Sequence, residues 1–233
     1  MLTNLQIERD TTTDRVVRAL RKEVLAGRLV PGTPLSEVSV SQSLGISRNT
    51  LREAVQQLEY EGLLSWKGNR RIVTVPSMDD VRDVYRVRLL LETGGVRASE
   101  AGTPDEHAAL GAAFDAFVAA VATNDEYDIV MHNTAFHRAT VAFMRSPRLN
   151  AAFESAMTCM RLALILTEHD LDDQTEQIAI HREILACVQS GRVARCVRLL
   201  QRNYAQAERD VLASLARYLE HVDARAGLAR ADS

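Results

Sequence analysis

The stretch LGISRNTLREAVQQLEYEG, residues 44–62, constrains the fold of this chain more strongly than any other segment. Gly45 is suited to end one helix in the left-handed conformation, and Ser47 is suited to cap the next helix. Apolar side chains then recur at helical spacing and predict a helix with one buried stripe, formed by Leu51, Ala54, Val55 and Leu58. The pattern therefore predicts two short helices joined by a tight turn.

Polar side chains lie off the buried stripe of the second helix. Arg48 and Arg52 are four residues apart and therefore share a face, with Asn49 beside them. A helix that carries Arg and Asn near its N-terminus, directly after a short turn, is typical of a recognition helix for the DNA major groove. The competing interpretation is an ordinary solvated helix face, since mixed charges are common on such faces.

Two short β-prone runs follow this helix and flank a basic tip. Residues 63–66 and 72–75 have the composition of strands, and the residues between them predict a hairpin with its tip at Lys67–Arg71. A helix-turn-helix followed by a hairpin is a winged helix, whose tip is placed to touch a phosphate or to enter the minor groove. An ordinary exposed hairpin is the alternative. We predict that residues 1–76 form this winged helix-turn-helix domain.

The rest of the chain is helical in pattern, without strand-like alternation. Capping signals mark several helix starts, such as Thr103–Pro104 and Ser146–Pro147. We expect residues 77–222 to form an antiparallel all-α bundle that encloses a pocket, followed by a frayed tail at 223–233. The fold class is therefore mainly α. The predicted helices of the bundle are 79–101, 104–123, 125–144, 147–171, 175–190 and 192–222.

The charge of the chain is unevenly distributed. The net charge is −3, but residues 1–76 hold 11 Lys+Arg against 8 Asp+Glu, and residues 77–233 hold 17 against 23. The first segment is therefore better suited to a polyanion, although its excess of positive charge is small. The 3 cysteines are odd in number and lie within predicted helices, so we expect reduced thiols rather than disulfides.

Two observations bear on the location of the protein. We find no run of about 18 apolar residues, so we predict no membrane-spanning segment. The N-terminal residues MLTNLQIERD lack the charged and then apolar pattern of a signal peptide. We therefore expect a cytoplasmic protein that does not contact a membrane.

The sequence resembles the GntR family of bacterial transcription regulators. Residues 28–37, RLVPGTPLSE, are similar to the family's approach to its second helix, and residues 47–64, SRNTLREAVQQLEYEGLL, to its recognition helix. Residues 87–92, VRLLLE, resemble the start of the all-helical FCD effector domain of the FadR-type branch. The resemblance implies a homodimer that binds a pseudo-palindromic operator and responds to a small metabolite in the helical bundle. We expect a repressor.

By position, the resemblance implies DNA contacts in the recognition helix and the wing. A guanidinium from Arg48 or Arg52 can present a fork to guanine O6 and N7, which is worth roughly 1–3 kcal/mol of discrimination. Val38 stands where many family members have Arg, so the operator need not follow the family's usual sequence. The implied contacts are Ser47, Arg48, Asn49, Thr50, Arg52, Lys67, Gly68, Asn69 and Arg70.

The resemblance also implies a metal site, and here the sequence departs from the family. Many FCD domains hold a divalent metal through an Asp, a His four residues later and two further His. The corresponding positions are Asn133, His137, His181 and Asn203. Because neutral amides replace a carboxylate and an imidazole, we expect zinc or a similar ion to bind weakly or not at all at His137 and His181.

These four polar residues lie within apolar stripes, so we expect them to be buried and to need partners. One interpretation is a hydrogen-bonded polar core. The other is the polar floor of an effector site, in which Arg88 and Arg161 bind a carboxylate. For Arg161, a surface arginine with a buried stem is an equal alternative. The predicted effector residues are Arg88, Asn133, His137, Arg161, His181 and Asn203.

Two other functions compete with that of an effector-responsive regulator. A metal-dependent enzyme would use His137 and His181 together with Glu183. No nucleophile motif, phosphate loop or carboxylate pair accompanies them, so we expect no catalysis. The second alternative is a DNA-binding dimer whose helical domain only dimerises and senses no metabolite.

Overall fold

The computed structural model describes residues 10–167 and 174–231. Their contacts divide the chain into two compact units, and the division falls between Val75 and Pro76, one residue before the predicted boundary. We call the described residues before this point the winged unit and those after it the helical unit. The predicted fold class, a winged helix-turn-helix followed by an all-α bundle, is confirmed.

The winged unit contains three helices and a two-stranded antiparallel hairpin, which we call the wing. The strands pair from Leu64↔Val73 to Lys67↔Arg70. Gly68 begins the two-residue turn between them with a φ of 58°, a conformation that glycine adopts without strain. A bridge between Pro34 and Ile72 adds a third extended segment beside the wing. The elements are α1 (Thr12–Leu25), α2 (Glu37–Leu44), α3 (Arg48–Tyr60), β1 (Leu64–Lys67) and β2 (Arg70–Val73).

The turn between α2 and α3 has the glycine helix end and the serine N-cap that the sequence predicts. Gly45 ends α2 with a φ of 63°, in the left-handed region that favours glycine. The backbone N–H of Thr50 donates to Oγ of Ser47 at 3.1 Å, so Ser47 is the N-cap of α3. The predicted stripe of α3 is fully buried, with 0% exposure at each of Leu51, Ala54, Val55 and Leu58. Burial of this stripe leaves the opposite face of α3 to solvent.

The helical unit consists of six α-helices and a short 3-10 turn at Ser99–Ala101. Within this unit α4 packs against α6, α7 and α9, while α5 packs against α6 and α8. Capping boxes at Ser77 and Thr103 start α4 and α5. The helices are α4 (Met78–Ala98), α5 (Pro104–Thr123), α6 (Glu126–Ala142), α7 (Pro147–Leu166), α8 (Gln174–Gln189) and α9 (Val193–Ala231).

Two helix ends differ from the sequence prediction by more than three residues. The helix predicted to reach residue 171 ends at Leu166, and the remaining predicted residues lie largely outside the described ranges. The last helix continues beyond residue 222 to Ala231, so the segment predicted as a frayed tail is helical over 223–231. This segment is rich in Ala and Arg, which have high helix propensity. Residues 232–233 lie outside the described ranges.

Among the described residues, α7 is long and apolar enough to cross a membrane by length and composition alone. The sequence prediction overlooked this segment. The core helix of a bundle satisfies the same criterion, and α7 buries Phe153, Met160 and Leu162 against its neighbours. We therefore assign α7 to the core of the helical unit.

Candidate functional site

The residues predicted to contact DNA on α3 lie at the start of this helix. Arg48, Asn49 and Arg52 are exposed. The hydroxyls of Ser47 and Thr50 are 2.8 Å apart, beside the positive end of the helix dipole. The helix therefore presents two guanidinium groups, an amide and two hydroxyls to solvent over less than two turns. Their contacts with DNA remain predictions.

A charged network connects the recognition helix to the wing. Nε of Arg52 donates to Oε2 of Glu37 at 3.0 Å. Nη1 of Arg71 donates to the other oxygen of Glu37, and Nε of Arg71 donates to Glu59 at 2.8 Å. The guanidinium of Arg71 also stacks 4.5 Å from the ring centre of Trp66. We call Glu37, Arg52, Glu59 and Arg71 the Glu37 network.

The basic tip of the wing divides into two parts. Lys67, Gly68, Asn69 and Arg70 are exposed, and the side chains of Lys67, Asn69 and Arg70 make no hydrogen bond to another described residue. Arg71, which the sequence placed at the same tip, is turned inward, and its side chain is only 15% exposed. The exposed part of the tip therefore offers two cations, Lys67 and Arg70, for contact with a polyanion.

The helical unit contains a second candidate site, a buried group of polar side chains from four helices. Nε of Arg88 donates to Glu92 at 3.2 Å, and its Nη2 donates to the Tyr204 hydroxyl at 3.0 Å. That hydroxyl in turn donates to Oε2 of Glu92. The same carboxylate oxygen lies 2.7 Å from Nδ1 of His137, and Nε2 of His137 lies 3.0 Å from Nε2 of His181. We call these five residues the polar cluster.

A close contact between α4 and α6 brings the cluster together. A Cβ atom on Gly95 would lie 2.1 Å from the backbone oxygen of Thr140, so only glycine allows the two helices to approach this closely. Glu92 lies one turn before Gly95, and His137 lies one turn before Thr140. The contact between the helices therefore places the carboxylate of Glu92 against the imidazole of His137.

The charges of the cluster follow from its surroundings. Burial opposes ionisation of Glu92, but the imidazole of His137 and the guanidinium of Arg88 outweigh burial and lower the pKa of Glu92 to about 2. Burial, followed by the neighbouring His137, holds the pKa of His181 well below its usual value. The cluster thus contains a buried carboxylate–guanidinium pair and a neutral His181. One proton must lie between the two facing Nε2 atoms, since two lone pairs at this distance would repel.

The structure brings together three of the six predicted effector residues: Arg88, His137 and His181. Arg88 is paired with Glu92 and Tyr204, and its binding of a carboxylate stays a prediction. Arg161 lies half-buried on α7, which contributes no side chain to the cluster. Burial lowers the pKa of Arg161, and Glu126 opposes the shift.

The two asparagines differ from the histidines in their surroundings. Asn133 and Asn203 are both half-buried. Nδ2 of Asn203 is buried without a hydrogen-bond partner among the described residues, whereas the imidazole of His181 is influenced by a backbone hydrogen bond with Gln177. Unsatisfied buried polar atoms are uncommon in folded proteins. Nδ2 of Asn203 therefore marks a place where a hydrogen-bond acceptor from outside the chain would be stabilised.

The donor atoms present do not fit a zinc site. His137 and His181 offer two imidazole nitrogens, whereas Asn133 and Asn203 offer neutral amides. The carboxylate of Glu92 lies at Nδ1 of His137, on the side away from His181. Across residues 10–167 and 174–231, no group of three or more His, Cys, Asp and Glu side chains is arranged to hold a metal ion.

Glu92 and Tyr204 belong to the polar cluster, and sequence reasoning did not identify them. Arg88 and Glu92 are four residues apart, the spacing of an ion pair on one helix face, and this was an available signal. Tyr204 follows Asn203 directly, but nothing local indicates that its hydroxyl reaches α4. Glu37 was likewise missed as a partner of Arg52, because the two are 15 residues apart and on different helices.

Comparison with known proteins identifies the two units. Residues 83–206 match the family model of the FCD domain, and residues 12–73 match that of the gntR family of bacterial regulatory proteins. The chain is 27% identical over 207 residues to an uncharacterised HTH-type transcriptional regulator of Bacillus subtilis, covering 87% of both chains. It is 28% identical over 197 residues to a Paenarthrobacter nicotinovorans protein described as a probable D-xylose utilization operon transcriptional repressor, covering 81% of this chain and 84% of that one.

A solved structure supports the same assignment. A protein assigned as a GntR transcriptional regulator of Rhodococcus sp. RHA1 superposes with a TM-score of 0.77 at 25% identity, covering 86% of this chain and 97% of that one. The matches extend over both units, and they are to transcription regulators rather than to enzymes. The chain therefore belongs to the GntR family of bacterial transcriptional regulators, with a DNA-binding winged helix followed by an FCD domain.

Proposed function

We propose that this protein is a cytoplasmic, homodimeric repressor that binds a pseudo-palindromic operator and responds to a small metabolite in its helical unit. The observation that carries the DNA-binding part is the exposed start of α3. There Arg48 and Arg52 are exposed, next to a fully buried stripe and close to the N-cap at Ser47. A rigid helix with this arrangement presents its donors to base edges in the major groove.

Each element has a distinct proposed role. Arg48, Asn49 and Arg52 read base edges, because guanidinium and amide groups form bidentate pairs with guanine and adenine. The hydroxyls of Ser47 and Thr50 bind a phosphate near the helix N-terminus. The exposed tip of the wing, with Lys67, Gly68, Asn69 and Arg70, contacts the adjacent backbone or minor groove.

A binding measurement with a selected duplex tests these roles. The probe is a duplex enriched from a randomised pool by the wild-type protein, and its affinity is measured by fluorescence anisotropy at moderate salt. The double variant Arg48→Ala, Arg52→Ala should weaken binding to this duplex by about tenfold or more for each lost guanine contact. The control Arg82→Ala, Arg86→Ala removes the same charge from α4 and should bind as the wild type does. Equal affinities of the wild type and the α3 variant would contradict the proposal.

For the effector, we propose a small carboxylate that binds near Asn203 and His181. Nδ2 of Asn203 supports this choice, because this donor is buried without a hydrogen-bond partner among the described residues. The amide N–H of Asn203 would donate to the carboxylate. The Arg88–Glu92 pair next to them would orient the site without providing an excess cation.

The effector proposal is tested by thermal unfolding in the presence of small organic acids and their neutral amides. An acid that binds should raise the melting temperature, and by linkage it should also shift the affinity for the selected duplex. Asn203→Leu should abolish the thermal shift. If no acid raises the melting temperature, the carboxylate proposal is wrong and a helical unit that only dimerises is favoured. If Asn203→Leu responds as the wild type does, the acid does not bind at Asn203.

A further inference from the structure

Glu37, the first residue of α2, holds two arginines that belong to two other elements. One carboxylate oxygen accepts from Nε of Arg52 on α3, and the other accepts from Nη1 of Arg71 on β2. The side chain of Glu37 is 21% exposed, so both ion pairs are partly shielded from solvent. The carboxylate of Glu37 therefore links the recognition helix to the wing.

The geometry at Arg52 leaves its guanidinium available for readout. Among the described residues, its hydrogen bond to Glu37 uses Nε alone. The terminal Nη1 and Nη2 atoms are the pair of donors that forms an end-on fork with guanine O6 and N7. Because the side chain is 59% exposed, the two Nη atoms face solvent while Glu37 holds Nε in place. Arg48, by contrast, is exposed and has no ion pair among the described residues.

The contacts of Arg71 hold the wing in a defined position relative to α3. Arg71 is bound by Glu37 and Glu59, and its guanidinium stacks on the ring of Trp66, its cross-strand neighbour. Since Glu59 belongs to α3, Arg71 connects β2 to the recognition helix a second time. The wing therefore has a defined position relative to Arg52, independent of any contact with DNA.

We propose that Glu37 is a positioning residue for operator recognition. It orients the Arg52 fork toward one base pair and, through Arg71, sets the position of the wing. This inference rests on the proposed role of Arg52 in base readout. Preorganisation of this kind lowers the conformational cost of forming a bidentate contact, and its benefit is confined to the correct sequence.

Positioning and simple electrostatics predict opposite effects for a change at Glu37. Removal of a carboxylate near a DNA-binding face reduces repulsion from phosphates and should tighten binding to any duplex. If Glu37 positions Arg52, the same change should weaken binding to the selected duplex while binding to random DNA stays constant or strengthens. The informative quantity is the specificity ratio, the Kd for random duplex divided by the Kd for selected duplex.

The test compares Glu37→Gln with a matched control, Glu61→Gln, in the full-length protein. Glu61 also binds an arginine from another helix, Arg21, at a similar exposure of 25%, but at the far end of α3. Both variants lose one charge. Glu37→Gln loses the ion pairs with Arg52 and Arg71, whereas Glu61→Gln loses the one with Arg21. We expect Glu37→Gln to lower the specificity ratio by about tenfold, as for the loss of one guanine contact, and Glu61→Gln to leave it unchanged.

A double-mutant cycle separates this inference from the proposed function. In the Arg52→Ala background, Glu37→Gln should cause a smaller loss than in the wild type, because the part of its effect that runs through Arg52 is already absent and only the part through Arg71 remains. If Arg52→Ala itself leaves the ratio unchanged, the proposed base readout by Arg52 is wrong. If Arg52→Ala lowers the ratio but Glu37→Gln matches Glu61→Gln, the positioning role is wrong.

A second variant, Glu37→Asp, distinguishes a loss of positioning from a loss of folding. Glu37→Asp keeps the charge but shortens the side chain, so it cannot hold both arginines at once. With circular dichroism and melting temperature unchanged, it should lower the specificity ratio in the same direction as Glu37→Gln. A wild-type ratio in a folded Glu37→Asp protein would overturn the inference.

Discussion

Nε2 of His137 on α6 faces Nε2 of His181 on α8 at 3.0 Å, inside a cluster that also contains a buried carboxylate–guanidinium pair. In this pair both charges are almost fully withdrawn from water, with side-chain exposures of 9% for Arg88 and 1% for Glu92. Removing one partner of such a pair strongly destabilises the fold, because the other charge stays buried without compensation. The stability of the helical unit therefore depends on residues that are also candidates for effector binding.

Glu92→Gln should destabilise the helical unit by about 3–5 kcal/mol, because it leaves Arg88 as an uncompensated buried charge. The measurement is urea unfolding followed by far-ultraviolet circular dichroism. Glu100→Gln, which removes an exposed carboxylate from the turn after the same helix, is the control and should change stability by less than about 0.5 kcal/mol. Similar midpoints for both variants would show that the pair does not stabilise the fold.

Gly95→Ala should destabilise the protein by about 1–3 kcal/mol or more, since the new Cβ overlaps the backbone of Thr140 and forces α4 away from α6. Gly111→Ala provides the contrast. Gly111 lies within α5, where the nearest atom to an added Cβ is 4.0 Å away, so alanine should stabilise the helix by up to about 1 kcal/mol. If Gly95→Ala raised the melting temperature as Gly111→Ala does, the close approach of α4 and α6 would be contradicted.

The protein purified without added metal should carry zinc well below one equivalent, and a chelator should leave its melting temperature unchanged. Two amides at Asn133 and Asn203 are poor zinc ligands compared with a carboxylate and an imidazole. The double variant Asn133→Asp, Asn203→His should raise zinc content and gain stability with zinc, as measured by elemental analysis and thermal unfolding. Near-stoichiometric zinc in the wild type, with chelator-induced loss of stability, would refute this prediction.

The helices and the turn of the winged unit could be predicted from the sequence because local signals specify them. Gly45 ends one helix, Ser47 caps the next, and the spacing from Leu51 to Leu58 predicts the buried stripe. The same reasoning located the helices of the bundle. It failed at the last helix, where few apolar side chains suggested fraying. The segment is rich in Ala and Arg, which have high helix propensity, and the helix continues to Ala231.

The polar cluster could be predicted only in part. Arg88 and the two histidines stand out as polar residues in apolar stripes. The contact of Glu92 with His137 joins residues 45 positions apart, and that with Tyr204 joins residues 112 apart. Such contacts depend on how closely two helices approach, which here follows from Gly95. The same limitation applies to Glu37 and Arg52, since no local pattern indicates that they meet.

The protein should be a dimer in solution, because a pseudo-palindromic operator requires two copies related by a twofold axis. Light scattering after size-exclusion chromatography should give twice the 25.8 kDa mass of one chain, independent of concentration in the micromolar range. A monomeric mass that persists on the selected duplex would contradict a homodimer on DNA.

Sequence-specific DNA binding is the central claim, and selection from a randomised duplex pool by the wild-type protein tests it most directly. After successive rounds, the bound pool should converge on two inverted half-sites with their centres about one helical turn, or a multiple of a turn, apart. The enriched duplex should bind about a thousandfold or more tightly than random DNA at physiological salt. A pool that does not converge, or an enriched duplex that binds no more tightly than random DNA, would contradict the proposal that α3 and the wing recognise an operator.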